Sequence, residues 1–230
     1  MHGLRYALVG TLALVNTLDA HAKCAMVAFV AKPLTAANSA VGPTGGVVVG
    51  LTYDDRQGGT AQVEQKGWRF EQGGKLVVPT IKLLAPSLAV YEFAGANATL
   101  VDDKKKALVS VRRGNQPAEL ATPRLRTATS DAGDDSVTRW RQSISLTLEL
   151  AAPAPRGAVG LILYVAKTPV NWMVLDRTAA IRFHGGGHCA NELPGTAVPI
   201  TGDITVAYFD GTGRVSALSA PITIKQPAKP

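Results

Sequence analysis

The chain has 230 residues, 24 of them basic and 17 acidic, for a formal charge of +7, and it is 46% hydrophobic and 18% charged. That balance excludes an intrinsically disordered chain and leaves enough apolar residues for a sizeable core. The positive excess favours anionic surfaces without specifying one.

Met1 to Arg5 is weakly basic, Tyr6 to Val15 is uncharged and apolar, and Ala20-His21-Ala22 follows. This is the order of a secretory signal peptide, and an apolar run of about ten residues falls short of the roughly 20 that cross a bilayer as a helix. Cleavage is expected after Ala22, and Lys23 excludes a lipoprotein signal at Cys24, which requires a small residue there. No later stretch is long and apolar enough to anchor the chain, so the mature protein is expected in the periplasm or outside the cell, with no transmembrane segment. Cys24 and Cys189 survive cleavage into an oxidising compartment, where a disulfide between them is expected. It would close a loop of 165 residues, an entropic stabilisation of about 5 kcal/mol in the chain model.

Along the mature chain, strands are predicted at 25–30 and 47–53. A hairpin follows, Trp68-Arg69-Phe70 turning through Gln72-Gly73-Gly74 into Leu76-Val77-Val78, because glycine supplies the positive φ of such turns. A strand at 88–93 precedes a second hairpin, 98–101 with 107–111, turning at Asp102-Asp103. Residues 112–123 read as a linker and 127–135 as a polar loop. Ser143 to Leu150 alternates strictly between polar and apolar, the period of a half-buried strand. Residues 159–165 are apolar on both sides, as in a central strand, and read as its neighbour. A strand at 179–183, a third hairpin of 204–209 with 214–218, and a strand at 221–224 complete the set. No window carries helical apolar spacing free of glycine or proline, so the fold class is all-β, a sandwich or barrel. The expected organisation is a signal peptide over 1–22 and two immunoglobulin-like β-sandwich modules over 23–115 and 116–230. A boundary within 127–135, or one large sandwich, stays open.

The run Ile204-Thr-Val-Ala-Tyr-Phe-Asp-Gly-Thr-Gly-Arg-Val-Ser-Ala-Leu-Ser-Ala-Pro-Ile-Thr-Ile224 resembles the last hairpin of bacterial immunoglobulin-like or fibronectin type III-like modules. In those, a strand ends at an Asp-x-x-Gly turn and a serine-rich return exits through proline. The resemblance covers about twenty residues and implies a binding, spacer or structural role by analogy.

Chemistry-bearing residues are few. His184-Gly185-Gly186-Gly187-His188-Cys189 offers two imidazoles and a sulfur for copper or zinc, with His184 and His188 as the candidate ligands. A fourth ligand is not evident, and an oxidised Cys189 does not ligate as thiolate. His21 would become the mature N-terminus, able to chelate copper, only with cleavage after Ala20. No Gly-x-Ser-x-Gly occurs, and His188 next to Cys189 would point to the opposite face on a strand. Asp54-Asp55, Asp102-Asp103 and Asp134-Asp135 sit among turn residues and read as turn formers. The basic groups are Lys104-Lys105-Lys106, Arg112-Arg113, Arg124 with Arg126, and Arg139 with Arg141. On strands each of the last two pairs shares a face. They read as a solvated edge, with an anionic polymer or envelope component as the competing explanation. Trp68, Trp140 and Trp172 read as core. With no phosphate-binding or dinucleotide fingerprint, no cofactor and no nucleic acid are expected. The functional expectation is an exported, non-enzymatic binding or structural protein of the cell envelope; the alternative is a periplasmic metal-binding protein.

Overall fold

The structure, a computed structural model, describes residues 28–54, 62–115, 118–133, 143–175, 180–185, 198–199 and 201–225. Regular structure among them is strand: β1 (Ala28–Pro33), β2 (Ser39–Val41), β3 (Gly46–Asp54), β4 (Arg69–Gln72), β5 (Lys75–Val77), β6 (Thr80–Ala85), β7 (Leu88–Glu92), β8 (Asn97–Val101), β9 (Ala107–Arg113), β10 (Leu125–Gly133), β11 (Ser143–Leu150), β12 (Ala158–Val165), β13 (Thr168–Val174), β14 (Ala180–Gly185), β15 (Asp203–Asp210) and β16 (Ile222–Thr223).

These make four sheets, β1-β3-β7-β6 facing β2-β9-β8-β4-β5 and β10-β11-β14 facing β13-β12-β15-β16. In immunoglobulin lettering the first pair is A-B-E-D against A′-G-F-C-C′, and the second A-B-E against C′-C-F-G. β2 runs parallel to β9, whereas the other ladders are antiparallel. Each pair of sheets closes on its own core. Val47, Val49, Leu51, Phe70, Tyr91 and Leu100 fill the first; Leu146, Leu148, Leu161, Leu163, Phe183 and Val206 fill the second.

Local chemistry accounts for the turns. Gly73 and Gly74 stand at φ 55° and 78°, both left-handed, as a two-residue type I′ turn requires. Asp102 Oδ1 accepts the Lys104 and Lys106 backbone N–H groups at 3.0 and 2.8 Å, holding the β8–β9 turn shut as an Asx turn.

Three expectations are corrected. Residues 125–133, placed in a polar loop from 127, form β10: it is an edge strand that buries only Ala128 and Ser130 among residues 126–130, so it carries no apolar alternation to read. β11 and β12 are not neighbours in one sheet. β11 pairs with β10 and β14, β12 with β13 and β15, and the two face each other across the second core. The third hairpin is not a regular ladder either: residues 214–221 form one bridge to β15, Phe209 to Val215, and otherwise meet it through spaced main-chain bonds, among them Ser216 N to Tyr208 O at 2.9 Å and Ser219 N to Val206 O at 2.8 Å. Serine hydroxyls complete the pairing. Ser216 Oγ accepts from Tyr208 N and Ser219 Oγ from Val206 N, both at 3.0 Å, so the returning chain needs no strand geometry.

Candidate binding surfaces

Among the described residues four strands, β3, β7, β12 and β15, have no solvent face along their central spans. On β3 the odd residues Val47, Val49 and Leu51 enter the first core, and on β7 Ala89 and Tyr91 do the same. Their alternates, Val48 on β3 and Leu88 and Val90 on β7, join Ile162 of β12, Trp172 of β13 and Phe209 of β15 in a third apolar cluster between the two sandwiches. This is why 159–165 is apolar on both sides: one face meets its own core, the other the neighbouring sandwich. Trp172 is accordingly an interface residue, and Trp68 belongs to the first core.

Fit at this interface depends on missing side chains. A Cβ on Gly50 would stand 2.4 Å from Trp172 Cη2 and 3.1 Å from Leu34 Cδ1, so the indole lies on bare backbone. A Cβ on Gly213, at φ 86°, would stand 2.3 Å from Val90 Cγ2; that position needs glycine for conformation and for space.

The turn after β15 latches the halves together. Asp210 Oδ1 accepts from Thr212 N, Thr212 Oγ1 and Arg214 N at 2.9, 2.8 and 3.0 Å. Its Oδ2 accepts from Arg214 Nε and Nη2 at 2.8 and 2.5 Å, and Arg214 Nη1 donates to Ala118 O at 2.7 Å in the connection between sandwiches. So ordered, the turn offers its carbonyls outward: Gly46 N donates to Thr212 O at 3.0 Å and Thr35 Oγ1 to Gly211 O at 2.5 Å. Two buried polar atoms among the described residues of these strands, Thr52 Oγ1 and Trp172 Nε1, have no hydrogen-bond partner.

The residues singled out in sequence are dispersed. Arg124 and Arg126 are both exposed, but a register irregularity between Leu125 and Thr127 interrupts β10 there; Arg139 and Arg141 lie outside the described residues. His184 stands inside β14, in register with Ser145, whereas His188, Cys189, Cys24 and His21 lie outside the described residues. Among the described residues no three His, Cys, Asp or Glu side chains converge as metal ligands. Lys104, Lys105, Lys106 and Arg112 are exposed. Arg113 is a structural brace: its guanidinium lies 3.9 Å over the Phe93 ring and donates to Gly42 O and Gly45 O at 2.5 and 2.9 Å, and to Phe93 O. Desolvation lowers its pKa, and Glu92 opposes that shift.

Burial raises three tyrosine pKa values, those of Tyr91, Tyr164 and Tyr208. For Tyr91 desolvation dominates and the value reaches about 12. Its hydroxyl donates to Val63 O at 2.7 Å and accepts from Gln65 N at 2.6 Å, so it serves to tie the segment before β4 to the core.

A shallow groove of about 280 Å³ on the outer face of the five-stranded sheet is lined by Asn38, Glu71, Asn97, Thr99, Ser110 and Arg112. The Thr99 and Ser110 hydroxyls pair at 2.9 Å, and the groove offers polar contacts at a solvated sheet face.

The edge of the first sandwich is different. Seven large hydrophobic side chains are exposed among the described residues, and four cluster in sequence: Leu76 at 49%, Val77 at 39%, Val78 at 68% and Leu83 at 55%. β5 and β6 are edge strands of opposing sheets. Val77 is in register with the core residue Phe70, and Leu83 with the core residue Ala89, so both turn toward the gap between the layers and neither is covered. The sequence carried the signal, since three consecutive apolar residues between a turn and Pro79 cannot all point inward on a strand.

No protein-family model matches the chain, and no curated protein matches it in sequence. Among solved structures it is similar to the central fibronectin-III array of RIM-binding protein. Identity there is 13% over 86% of this chain and 62% of that one, with a TM-score of 0.30, so the chain spans less than two thirds of that structure. It is also similar to the Clostridium thermocellum CbhA fibronectin(III)-like modules, with 14% identity over 87% of this chain and 93% of that one and a TM-score of 0.22. By its own strands the chain is an all-β protein whose strand order is immunoglobulin-like.

Proposed function

We propose that the chain is an exported, non-enzymatic binding protein of the cell envelope that holds a partner at the open edge of its N-terminal sandwich. The observation that carries this reading is the exposed apolar edge, with Val77 and Leu83 uncovered at the gap between the layers and Leu76 and Val78 on the other face of the same edge, since grouped exposed hydrophobics mark interaction sites. The buried contact between the sandwiches supports it, because a rigid body presents such an edge without the entropy of ordering it on binding. The basic, apolar and A-x-A order of residues 1–22 supports export, and with it a bond between Cys24 and Cys189.

The test is site-specific photo-crosslinking from position 76 in cells, beside a Leu76→Ser/Val78→Ser/Leu83→Ser variant. The expected result is one discrete envelope-protein adduct that the triple variant loses while its circular dichroism stays unchanged. No adduct, or one indifferent to the substitutions, would overturn the proposal. The intact mass of exported protein, with and without reduction, tests removal of residues 1–22 and the disulfide.

A further inference from the structure

We infer that the occupant of this edge is an extended segment of an acidic partner protein that adds to β5 as a sixth strand of the β2-β9-β8-β4-β5 sheet. The inference rests on the binding role proposed above and names the partner's chemistry.

Backbone parity comes first. β4 and β5 are joined by a two-residue turn, with Gln72 in register with Lys75, Glu71 with Leu76 and Phe70 with Val77. The pair flanking such a turn exchanges ladder hydrogen bonds, and in an antiparallel ladder bonded and non-bonded pairs alternate. The N–H and C=O of Leu76, and of Val78 beyond it, therefore turn away from β4 to the free edge. Among the described residues β5 has no second partner strand. An added strand takes up these groups, and its inward side chains come to lie beside Val77 and over Leu83, filling the mouth between the layers. Main-chain bonds then supply affinity and alternate side chains specificity.

Charge selects among occupants. Lys75 lies next to Leu76 in β5, Arg69 next to Phe70 in β4 with its guanidinium on the Lys66 and Trp68 carbonyls, and Lys82 next to Leu83 in β6, in register with Val90. Glu71, in register with Leu76, is the one carboxylate among the described residues in register with these positions or next to them. A second copy would bring the same cations against themselves, and a chain of formal charge +7 repels its own kind. A segment with alternating apolar residues between carboxylates is attracted by the same groups. Pro79 ends the strand, so the site accepts a short segment of about four residues.

The test uses the full-length mature protein and three synthetic peptides read by fluorescence anisotropy: Glu-Val-Thr-Val-Thr-Val-Glu with blocked ends, the same core flanked by lysines, and the acidic peptide N-methylated at alternate residues. The acidic peptide should bind about tenfold more tightly than the lysine peptide in low salt, and that preference should shrink with salt. N-methylation in the phase that blocks pairing should abolish binding, and Leu76→Pro, which removes the edge donor, should do the same. Equal binding of the N-methylated peptide would overturn strand addition yet leave an apolar binding edge standing. A dimer in sedimentation that Leu76→Pro dissolves would replace the partner with a second copy. Peptide binding that survives Leu76→Ser/Val78→Ser/Leu83→Ser would sink the binding edge itself.

Discussion

Replacing Trp172 by alanine tests whether the two sandwiches form one energetic unit. The indole is 7% exposed, sits on Gly50 and meets Phe209 edge-on with ring centroids 6.2 Å apart. An aromatic side chain buries about 150–250 Å², worth about 4–6 kcal/mol at 25 cal/mol/Å², and Trp→Ala truncations cost about 3–5 kcal/mol. A loss of about 4 kcal/mol is therefore expected, and it falls on neither core. Calorimetry should show the single unfolding transition of the parent lowered by about 8–16 °C or divided in two. The sharper test is a cycle with Gly50→Ala. In the parent the new methyl collides with Cη2 and costs about 1–3 kcal/mol; in the Trp172→Ala background only the flexible Leu34 Cδ1, 3.1 Å away, has to give, and the cost should be clearly smaller. If Gly50→Ala costs the same in both backgrounds, the indole is not seated on that backbone and the interface described here is wrong.

Asp210→Ala leaves five donor contacts without their acceptor, two of them from the partly buried Arg214 side chain, for an expected cost of about 3 kcal/mol; urea denaturation showing less than about 1 kcal/mol would refute the latch. Tyr91 titrates near 12 when folded against 10 for the free side chain. Its contribution is thus complete below pH 10 and lost between pH 10 and 12, as the unfolded chain gives up its proton first. The expected loss is about 2–3 kcal/mol. Urea melts of the parent and Tyr91→Phe from pH 8 to 11.5 should show the parent falling more steeply; parallel curves would refute the assignment. Leu76→Ser with Val78→Ser removes exposed side chains, so stability should hold within about 0.5 kcal/mol per site while retention on a hydrophobic-interaction column drops; a large destabilisation would mean the strip is covered in the native state.

Legibility in the sequence followed the chemistry of each element. β11 was plain because Ile144, Leu146, Leu148 and Leu150 alternate with Ser143, Ser145, Thr147 and Glu149, and the β4–β5 and β8–β9 hairpins because glycine and aspartate mark their turns. β10 was not, since an edge strand with two small buried residues has no pattern to show. Nor was the pairing of β11 and β12, because alternation fixes which side faces a core but not which sheet a strand joins. Double-sided apolarity in β12 was visible, but its cause lay in the other sandwich, about 70 to 110 residues earlier in the chain by the positions of Val48 and Val90. The exposed edge is only half legible: Leu76-Val77-Val78 cannot all point inward, but that Val77 also stays uncovered shows only in its register with Phe70 and in the lack of a further strand among the described residues.

Because β3, β7, β12 and β15 are enclosed on both sides, no position along their central spans is a safe place for a lysine. A saturation library selected for folded protein should record unbroken bands of intolerance there, against the every-other-codon stripes of β10 or β11. Such bands would expose the contact between the two halves in survival counts alone.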